Sequence, residues 1–121
     1  MIAKQVIRAS MLFIKLGKEL PEFTLDKEGI FEYIYHFAGF KDIEIDNHPD
    51  FTKRFYLSGK NQDDIKALFT DELVLFFESN PYYHIESSKH GLLIIGNERL
   101  AGVKEIKALA DFGLRLEKII S

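Results

Sequence analysis

The chain has 121 residues, a formal net charge of −3 and no cysteine. This length fits one domain, so we expect a single domain over residues 1–121, with a core that needs no disulfide. The absence of cysteine excludes disulfides, thiolate metal sites and thiol catalysis. The slight negative charge offers no general attraction to nucleic acid or to anionic lipid. No apolar run approaches the ~20 residues of a membrane span, so the chain as given is expected to be soluble.

Apolar side chains occupy both alternating faces of residues 5–16. A strand without a clean polar face is typical of one that is covered on both sides, or of one bulged near Ser10. A short extended segment is expected at residues 22–25. Asp26 then fits the N-cap of a helix that the spacing of apolar residues predicts over residues 27–38.

Residues 42–59 read as a strand, a corner and a second strand, and we expect the sheet to be organised around them. Residues 43–45 alternate between apolar and acidic side chains, as a half-buried strand does. Residues 47–50 interrupt the pattern with turn chemistry. Alternation resumes over residues 51–59, where Lys53 on the apolar side indicates a bulge or an edge strand.

A long amphipathic segment follows, because apolar residues recur in steps of three and four from Ile65 to Phe77. Asn61 can cap this segment, and two aspartates lie in its first turn. The spacing favours one helix over residues 62–78. The alternative is two helices, with Thr70 as the second N-cap.

The last third of the chain predicts a hairpin and a helix. Residues 83–86 and 92–95 form two strands joined by a five-residue loop, and the apolar run at 92–95 indicates a central strand. Residues 103–120 show one apolar and one charged face, which predicts a long C-terminal helix lying across a sheet. The order of elements predicts an α+β fold, with an antiparallel sheet and helices packed mainly on one face.

The predicted hydrophobic core draws on most of these elements. Its members are Ile7, Leu12, Ile14, Ile34, Ile43, Ile45, Phe55, Leu57, Leu68, Phe69, Phe76, Leu93, Ile95, Ile106, Leu109 and Leu116.

Three short motifs follow one another along the chain. They are, in order, Pro-x-Phe-x-Leu, Pro-x-Phe-Thr at the corner and Ile-x-x-Leu-Phe in the helix after it. The residues that carry this pattern are Pro21, Phe23, Leu25, Asp42, Ile43, Pro49, Phe51, Thr52, Tyr56, Leu57, Gly59, Ile65, Leu68 and Phe69. The pattern resembles an uncharacterised bacterial domain found at the C-terminal end of small integral membrane proteins. The resemblance covers about residues 20–78 and implies no particular activity. It implies membrane helices before Met1 in the parent chain.

The densest polar cluster lies at the corner, where Asp46, His48 and Asp50 follow one another closely. Carboxylates with a histidine could hold a divalent metal or form an acid–base pair, which suggests a small metal-dependent or hydrolytic enzyme. The structural alternative is a turn in which these side chains bond the local backbone or face water. That alternative has the greater weight, because loop residues of these types usually shape turns.

Two further clusters of polar and aromatic residues are candidate sites. Lys53, Arg54 and Tyr56 could bind single-stranded nucleic acid through phosphate contacts and stacking, but the net charge and the lack of a recognisable motif speak against it. His84 and His90 lie on the two arms of the predicted hairpin and, with His36 or His48, could form a zinc site, although the spacing matches no metal motif.

The leading hypothesis is a noncatalytic interaction or ligand-binding module, with no cofactor. The residues expected to bind are Asp46, His48, Asp50, Arg54 and Tyr56. The expected partners are a second copy of the chain, forming a homodimer, and a protein or small molecule rather than nucleic acid. Contact with a membrane is expected only through segments outside this chain.

Overall fold

The computed structural model describes residues 11–27, 43–96 and 102–121. Five strands are formed: β1 Met11–Lys15, β2 Phe23–Lys27, β3 Phe55–Gly59, β4 His84–Ser88 and β5 Gly91–Ile95. The same described residues form four helices: α1 Pro49–Arg54, α2 Gln62–Leu68, α3 Asp71–Ser79 and α4 Val103–Ile120. The strands make one antiparallel sheet in the order β1-β5-β4-β2-β3. The predicted α+β class, with its antiparallel sheet and long C-terminal helix, is confirmed.

One face of the sheet, the inner face, carries apolar side chains from every described strand. Alternate residues of a strand point to the same side of the sheet, so these side chains lie together. Its apolar residues are Leu12, Ile14, Phe23, Leu25, Phe55, Leu57, Ile85, Leu92 and Ile94. Helix α4 packs against this face, since Gly113 approaches the sheet so closely that a side chain there would collide with Leu12 and Ile14. The helix therefore covers the β1–β5 side of the sheet.

Aromatic rings from the shorter helices cover the other side of the inner face. Phe51 of α1 stacks on Phe55 with ring centres 4.9 Å apart. Phe69, just after α2, meets Phe23 edge-on at 5.2 Å. Phe77 of α3 lies 5.9 Å from Phe69, so three helical segments share one aromatic cluster. Each offset or edge-on pair of this kind stabilises the fold by about 0.5–1.5 kcal/mol beyond the contribution of the apolar area that the rings bury.

The strand predicted across residues 51–59 is wrong in its first part, where α1 is formed and β3 begins only at Phe55. Pro49 begins the helix with its φ angle already fixed, and Asp50 complements the positive end of the helix dipole. Lys53 belongs to the last turn, where a cation is favoured, so the apparent misfit in the strand pattern is a helix signal.

Residues 43–45 do not form the predicted strand. The N–H of Ile43 donates to the carbonyl of Leu57 at 2.6 Å, which places this segment beside β3. Asn47 then reverses the chain with φ at 68°, in the left-handed region that asparagine tolerates better than most residues.

The single helix predicted over residues 62–78 is wrong, and the two-helix alternative is confirmed. Asn61 caps α2 as expected, accepting from the N–H of Asp64 at 3.2 Å. Thr70 caps α3 by accepting from the N–H of Leu73 at 3.3 Å. The apolar spacing continues through Thr70 because both helices face the same core, so periodicity alone does not show the break.

The hairpin is tighter than predicted. Strands β4 and β5 pair from Ser88 opposite Gly91, which leaves a two-residue turn at Lys89 and His90 instead of a five-residue loop. The ring of Phe13 occupies the space that a side chain at Gly91 would fill, so a larger residue there would have to displace that ring. The central position predicted for the second arm is confirmed, since β5 lies between β1 and β4.

The remaining differences concern burial. The described part of the first strand is not covered on both sides, because Met11 and Phe13 are 64% and 60% exposed. Ile106 was placed in the core and is exposed. Lys27 closes β2, so the described start of the helix predicted over residues 27–38 is strand.

Most of the other predicted core residues are buried, and some are only partly so. Leu12, Ile14 and Leu68 are partly buried against the core. Leu93 and Ile95 are partly buried on the opposite face of the sheet, so their predicted place in the core is wrong. Ile7, Ile34 and residues 28–38 lie outside the described part of the chain. Among the described helices, none combines the length and the apolar character needed to cross a membrane.

Helix α4 offers a matched pair of leucines for testing the core. Leu109 is 5% exposed on the face that packs against the core, whereas Leu114 is 62% exposed on the same helix. We expect Leu109→Ala to lower the free energy of unfolding by about 2–5 kcal/mol through lost burial and an incompletely filled cavity. Leu114→Ala should change it by less than about 0.5 kcal/mol. Equal urea midpoints for the two variants would contradict this packing.

Candidate functional site

The face opposite the inner face, here the outer face, is divided into an apolar and a polar half. The strand register aligns two rows across it: Met11, Ile95, His84, Asp26 and Tyr56 form one row, and Phe13, Leu93, Glu86, Thr24 and Ser58 form the next. The residues from β1 and β5 are apolar. Those from β4, β2 and β3 carry hydroxyl, imidazole and carboxyl groups, so the polar half is where chemistry can be sought.

Asp26 is the centre of the polar half, a carboxylate only 1% exposed in the middle of a strand ladder. Its Oδ1 accepts from the N–H of Lys27 at 2.8 Å and from the hydroxyl of Tyr82. Its Oδ2 lies 3.1 Å from Nδ1 of His84, and both of these atoms are buried from water. The N–H of Lys27 also reaches the Tyr82 oxygen at 2.9 Å, which closes a ring of hydrogen bonds.

His84 links this carboxylate to the second row of the outer face. Its Nε2 lies 3.2 Å from Oε1 of Glu86, two residues further along β4. The imidazole is therefore held between two carboxylates, one buried and one exposed. Such an arrangement favours the protonated ring, which can donate a hydrogen bond from each nitrogen at once.

The pKa values of the pair shift apart. Burial acts to raise the pKa of Asp26, but hydrogen bonds from its three neighbours outweigh burial and hold that pKa below its ordinary value. The hydrogen bond to Asp26 raises the pKa of His84 above its ordinary value; burial opposes that rise and Glu86 adds to it. The two groups thus form an ion pair over a wider pH range than free side chains would.

A groove of about 250 Å³ opens beside this network, at the end of β2 and α1, and is lined by Lys27, Lys53, Arg54, Phe55 and Tyr82. We call it the cationic groove, because three of its five lining residues are cations and none is acidic. Tyr82 and Lys27 belong both to the groove and to the ring of hydrogen bonds around Asp26.

Arg54 makes two contacts at the wall of the cationic groove. Its Nη1 donates to the carbonyl of Glu78 on α3 at 3.4 Å. Its guanidinium lies 5.4 Å from the centre of the Phe55 ring, within the range of a cation–π contact. Phe55 is itself buried and lies 6.3 Å from the Tyr82 ring, so aromatic carbon supports the charged wall.

A second groove, of about 370 Å³, lies over the other row of the polar half. Its polar lining residues are Glu22, Thr24, Ser58, Lys60, Glu86 and Ser87. Acidic and basic side chains occur together there, so this groove presents no net preference for an anion or a cation.

The corner residues predicted to bind do not converge on one point. Asp46 and Asp50 are exposed. His48 turns toward α3, where its Nε2 lies 2.7 Å from Oδ1 of Asp71 and its Nδ1 lies 3.9 Å from Oε1 of Glu78. The corner histidine thus ties the chain to a helix. In the part of the chain that the structure describes, no group of three His, Asp or Glu residues is placed to hold a metal ion.

The other two predicted binding residues lie in different environments. Arg54 lies in the cationic groove, close to Lys53 as the sequence suggested. Tyr56 is fully buried opposite Asp26, so its ring offers no stacking surface to a base.

The two histidines expected to face each other across the hairpin do not do so. His84 pairs with Ile95 in the register, whereas His90 is in the exposed turn at the far end. His36, the other candidate ligand, lies outside the described residues.

Sequence reasoning missed Asp26, Tyr82 and His84 as a group. Asp26 looked like a helix N-cap, but it lies inside β2. The signal that could have revealed it is an acidic residue at the alternating position of the segment FTLDK, on the opposite face from Phe23 and Leu25. The partners come from β4 and the segment before it, about 55 residues away in sequence, so only the strand register brings them together.

No protein-family model, curated protein or solved structure matches this chain.

The shifted pair predicts a window of pH stability. Asp26 contributes stability that is present above its ordinary pKa of 3.8 and is lost as the pH falls through its lower folded value. His84 contributes stability that is present below its ordinary pKa of 6.5 and is lost as the pH rises through its higher folded value. We therefore expect the urea concentration at the midpoint of unfolding to fall as the pH rises above 6.5, the ordinary pKa of histidine.

His84→Gln should remove that alkaline fall, and His90→Gln, in the exposed turn, should retain it. An unchanged alkaline fall in His84→Gln would show that another group causes it.

Proposed function

We propose that this chain is a noncatalytic ligand-binding module that takes a small anionic ligand, bearing a carboxylate or a phosphate, in the cationic groove. The observation that carries the proposal is the convergence of Lys27, Lys53 and Arg54 around one groove that no acidic residue lines. Side chains from the end of a strand and the end of a helix meet there, so the cluster depends on the fold and not on a run of basic sequence.

Preorganisation supports this function. Arg54 is already held by the Glu78 carbonyl and the Phe55 ring, so part of the entropy cost of fixing a flexible cation has been met before a ligand arrives. Guanidinium groups suit carboxylates and phosphates because their planar N–H donors match the geometry of two oxygen atoms. The nearby lysines add charge without demanding a fixed geometry.

The size of the groove limits the ligand. A volume of about 250 Å³ is below the ~300–1,000 Å³ typical of pockets for drug-sized molecules. The groove therefore suits a small organic acid or phosphate, or the acidic end of a larger molecule. The aromatic carbon of Phe55 and Tyr82 provides an apolar surface for the part of the ligand that carries the acid.

The two alternatives from the sequence receive less support. A hydrolytic or metal-dependent enzyme at the corner needs Asp46, His48 and Asp50 around one point. His48 contacts Asp71 instead, and the described residues include no group placed to hold a metal ion. A binder of single-stranded nucleic acid would use the ring of Tyr56, which is buried.

Binding of sulfate, a small dianion, tests the proposal. We expect calorimetry at low ionic strength to detect weak binding to the parent protein. Lys53→Ala and Arg54→Ala should each lower the affinity about tenfold, because a hydrogen bond to a charged group contributes about 1.5–3 kcal/mol. Lys66→Ala removes an exposed lysine from α2, away from the groove, and should leave the affinity unchanged.

Absence of sulfate binding, or equal weakening by all three substitutions, would refute the site. Circular dichroism on each variant separates loss of binding from loss of fold.

We also propose a homodimer that forms through the edge strand β1. Among the described strands, β1 pairs with β5 alone, and its residues Met11 and Phe13 are exposed on the outer face. Two copies of an edge strand can pair antiparallel across a two-fold axis, which makes the contact self-complementary and closed.

Substitution at this edge tests the dimer. Phe13→Lys places a charge where the second copy would pack, so we expect sedimentation to show a shift from dimer to monomer. Leu114→Lys introduces the same charge on the exposed side of α4 and should leave the dimer intact. A parent protein that is monomeric at every concentration tested would overturn the proposal.

The family resemblance supports one further proposal, that the domain is the water-exposed portion of a membrane-tethered bacterial protein. The parent coding sequence would then contain apolar segments of about 20 residues before Met1.

A further inference from the structure

We propose that Asp26 and His84 are positioning residues of the cationic groove: Asp26 holds Tyr82 and Lys27 at its wall, and His84 balances the negative charge of Asp26. This inference rests on the proposed function of the groove. It adds that anion binding depends on the charge state of a histidine that does not line the groove.

The geometric part of the argument is the ring of hydrogen bonds. One oxygen of Asp26 receives both the Tyr82 hydroxyl and the Lys27 N–H, and those two residues line the groove. The Tyr82 oxygen and the Lys27 nitrogen are also joined to each other at 2.9 Å. Loss of the Asp26 acceptor would therefore release the tyrosine and the end of β2 together.

The electrostatic part concerns the second oxygen of Asp26. It lies 3.1 Å from Nδ1 of His84, so a protonated imidazole and the carboxylate together carry no net charge. When the imidazole loses its proton, the negative charge of Asp26 remains uncompensated behind the groove. A buried charge is screened weakly by solvent, so it lowers the positive potential that an anion experiences.

Other charged groups in the same region must be considered. His84 faces Asp26 from β2 and Glu86 from its own strand, while its neighbour on β5 is the apolar Ile95. His48 contacts the carboxylates of Asp71 and Glu78 on α3, and the carbonyl of Glu78 contacts Arg54 of the groove.

His48 is the main competitor for any effect of pH on the groove. The carbonyl of Glu78 anchors Arg54, so protonation of His48 could also be felt there. The experiment therefore has to separate the two histidines.

Sulfate is the appropriate probe, because it stays dianionic from about pH 5 to about pH 8.5, the range in which histidine titrates. We expect the affinity of the parent protein for sulfate to fall about threefold to tenfold as the pH rises through this range. That is the order of effect expected of one unit charge whose field is partly screened by the protein and solvent. The expected direction follows from the loss of a positive charge beside Asp26.

The variants assign the effect. His84→Gln should bind sulfate with the parent's weaker, alkaline affinity at every pH. His48→Gln and His90→Gln should keep the fall. Asp26→Asn retains an oxygen that can accept from Tyr82 but removes the carboxylate that raises the pKa of His84. Its affinity at alkaline pH should therefore be at least equal to the parent's acidic value, and the remaining fall should move to lower pH.

If the pair had only a structural role, His84→Gln and Asp26→Asn would both lower the affinity for sulfate. The inference instead predicts a lower affinity in His84→Gln and no loss in Asp26→Asn. A persistent fall in His84→Gln, or its loss in His48→Gln, would overturn the inference while leaving the anion site standing. Failure of the parent to bind sulfate at any pH would instead refute the proposed function. If His84→Gln does not fold, the pH profile of Asp26→Asn decides the question.

Discussion

The buried carboxylate of Asp26 is the constraint on which the polar half of the molecule depends. A charge that is removed from water needs donors on its oxygens, and here they come from Tyr82, from the backbone of Lys27 and from His84. These donors lie on β2 itself, on β4 and on the segment before β4. The hydrogen bonds to this one carboxylate therefore fix the relative position of two neighbouring strands, β2 and β4, at the end where the cationic groove opens.

Packing on the inner face positions the other wall of the cationic groove, which is formed by the end of α1. Phe51 of α1 stacks on Phe55, the first residue of β3, so the short helix is anchored where the strand begins. This anchoring carries Lys53 and Arg54, in the last turn of α1, to the end of β2. Apolar packing on one face of the sheet and hydrogen bonding on the other thus meet at the same place, which is why cations from separate elements converge there.

The accuracy of the sequence-based prediction follows the range of the interactions involved. The bounds of α4 could be predicted because its amphipathic pattern is local and continuous, and the central position of β5 because its residues are apolar without interruption. Helix α1 was missed because it is too short for periodicity to separate it from a strand, although Pro49 and Lys53 stand at helix-favoured ends. The site around Asp26 was missed because no local rule gives strand register, and register alone places His84 beside it.

The presence of a charged pair at this position is not explained by stability. Replacing a buried ion pair by apolar residues of similar volume is often neutral or stabilising by about 1–4 kcal/mol, and the inner face of the same strands is packed with residues such as Leu25 and Ile85. A sheet designed only to be stable would have no reason to carry Asp26 and His84. What the pair provides is a fixed hydroxyl on Tyr82 and a controlled charge beside a cluster of cations. Both properties would act on the anion that we propose to bind in the cationic groove.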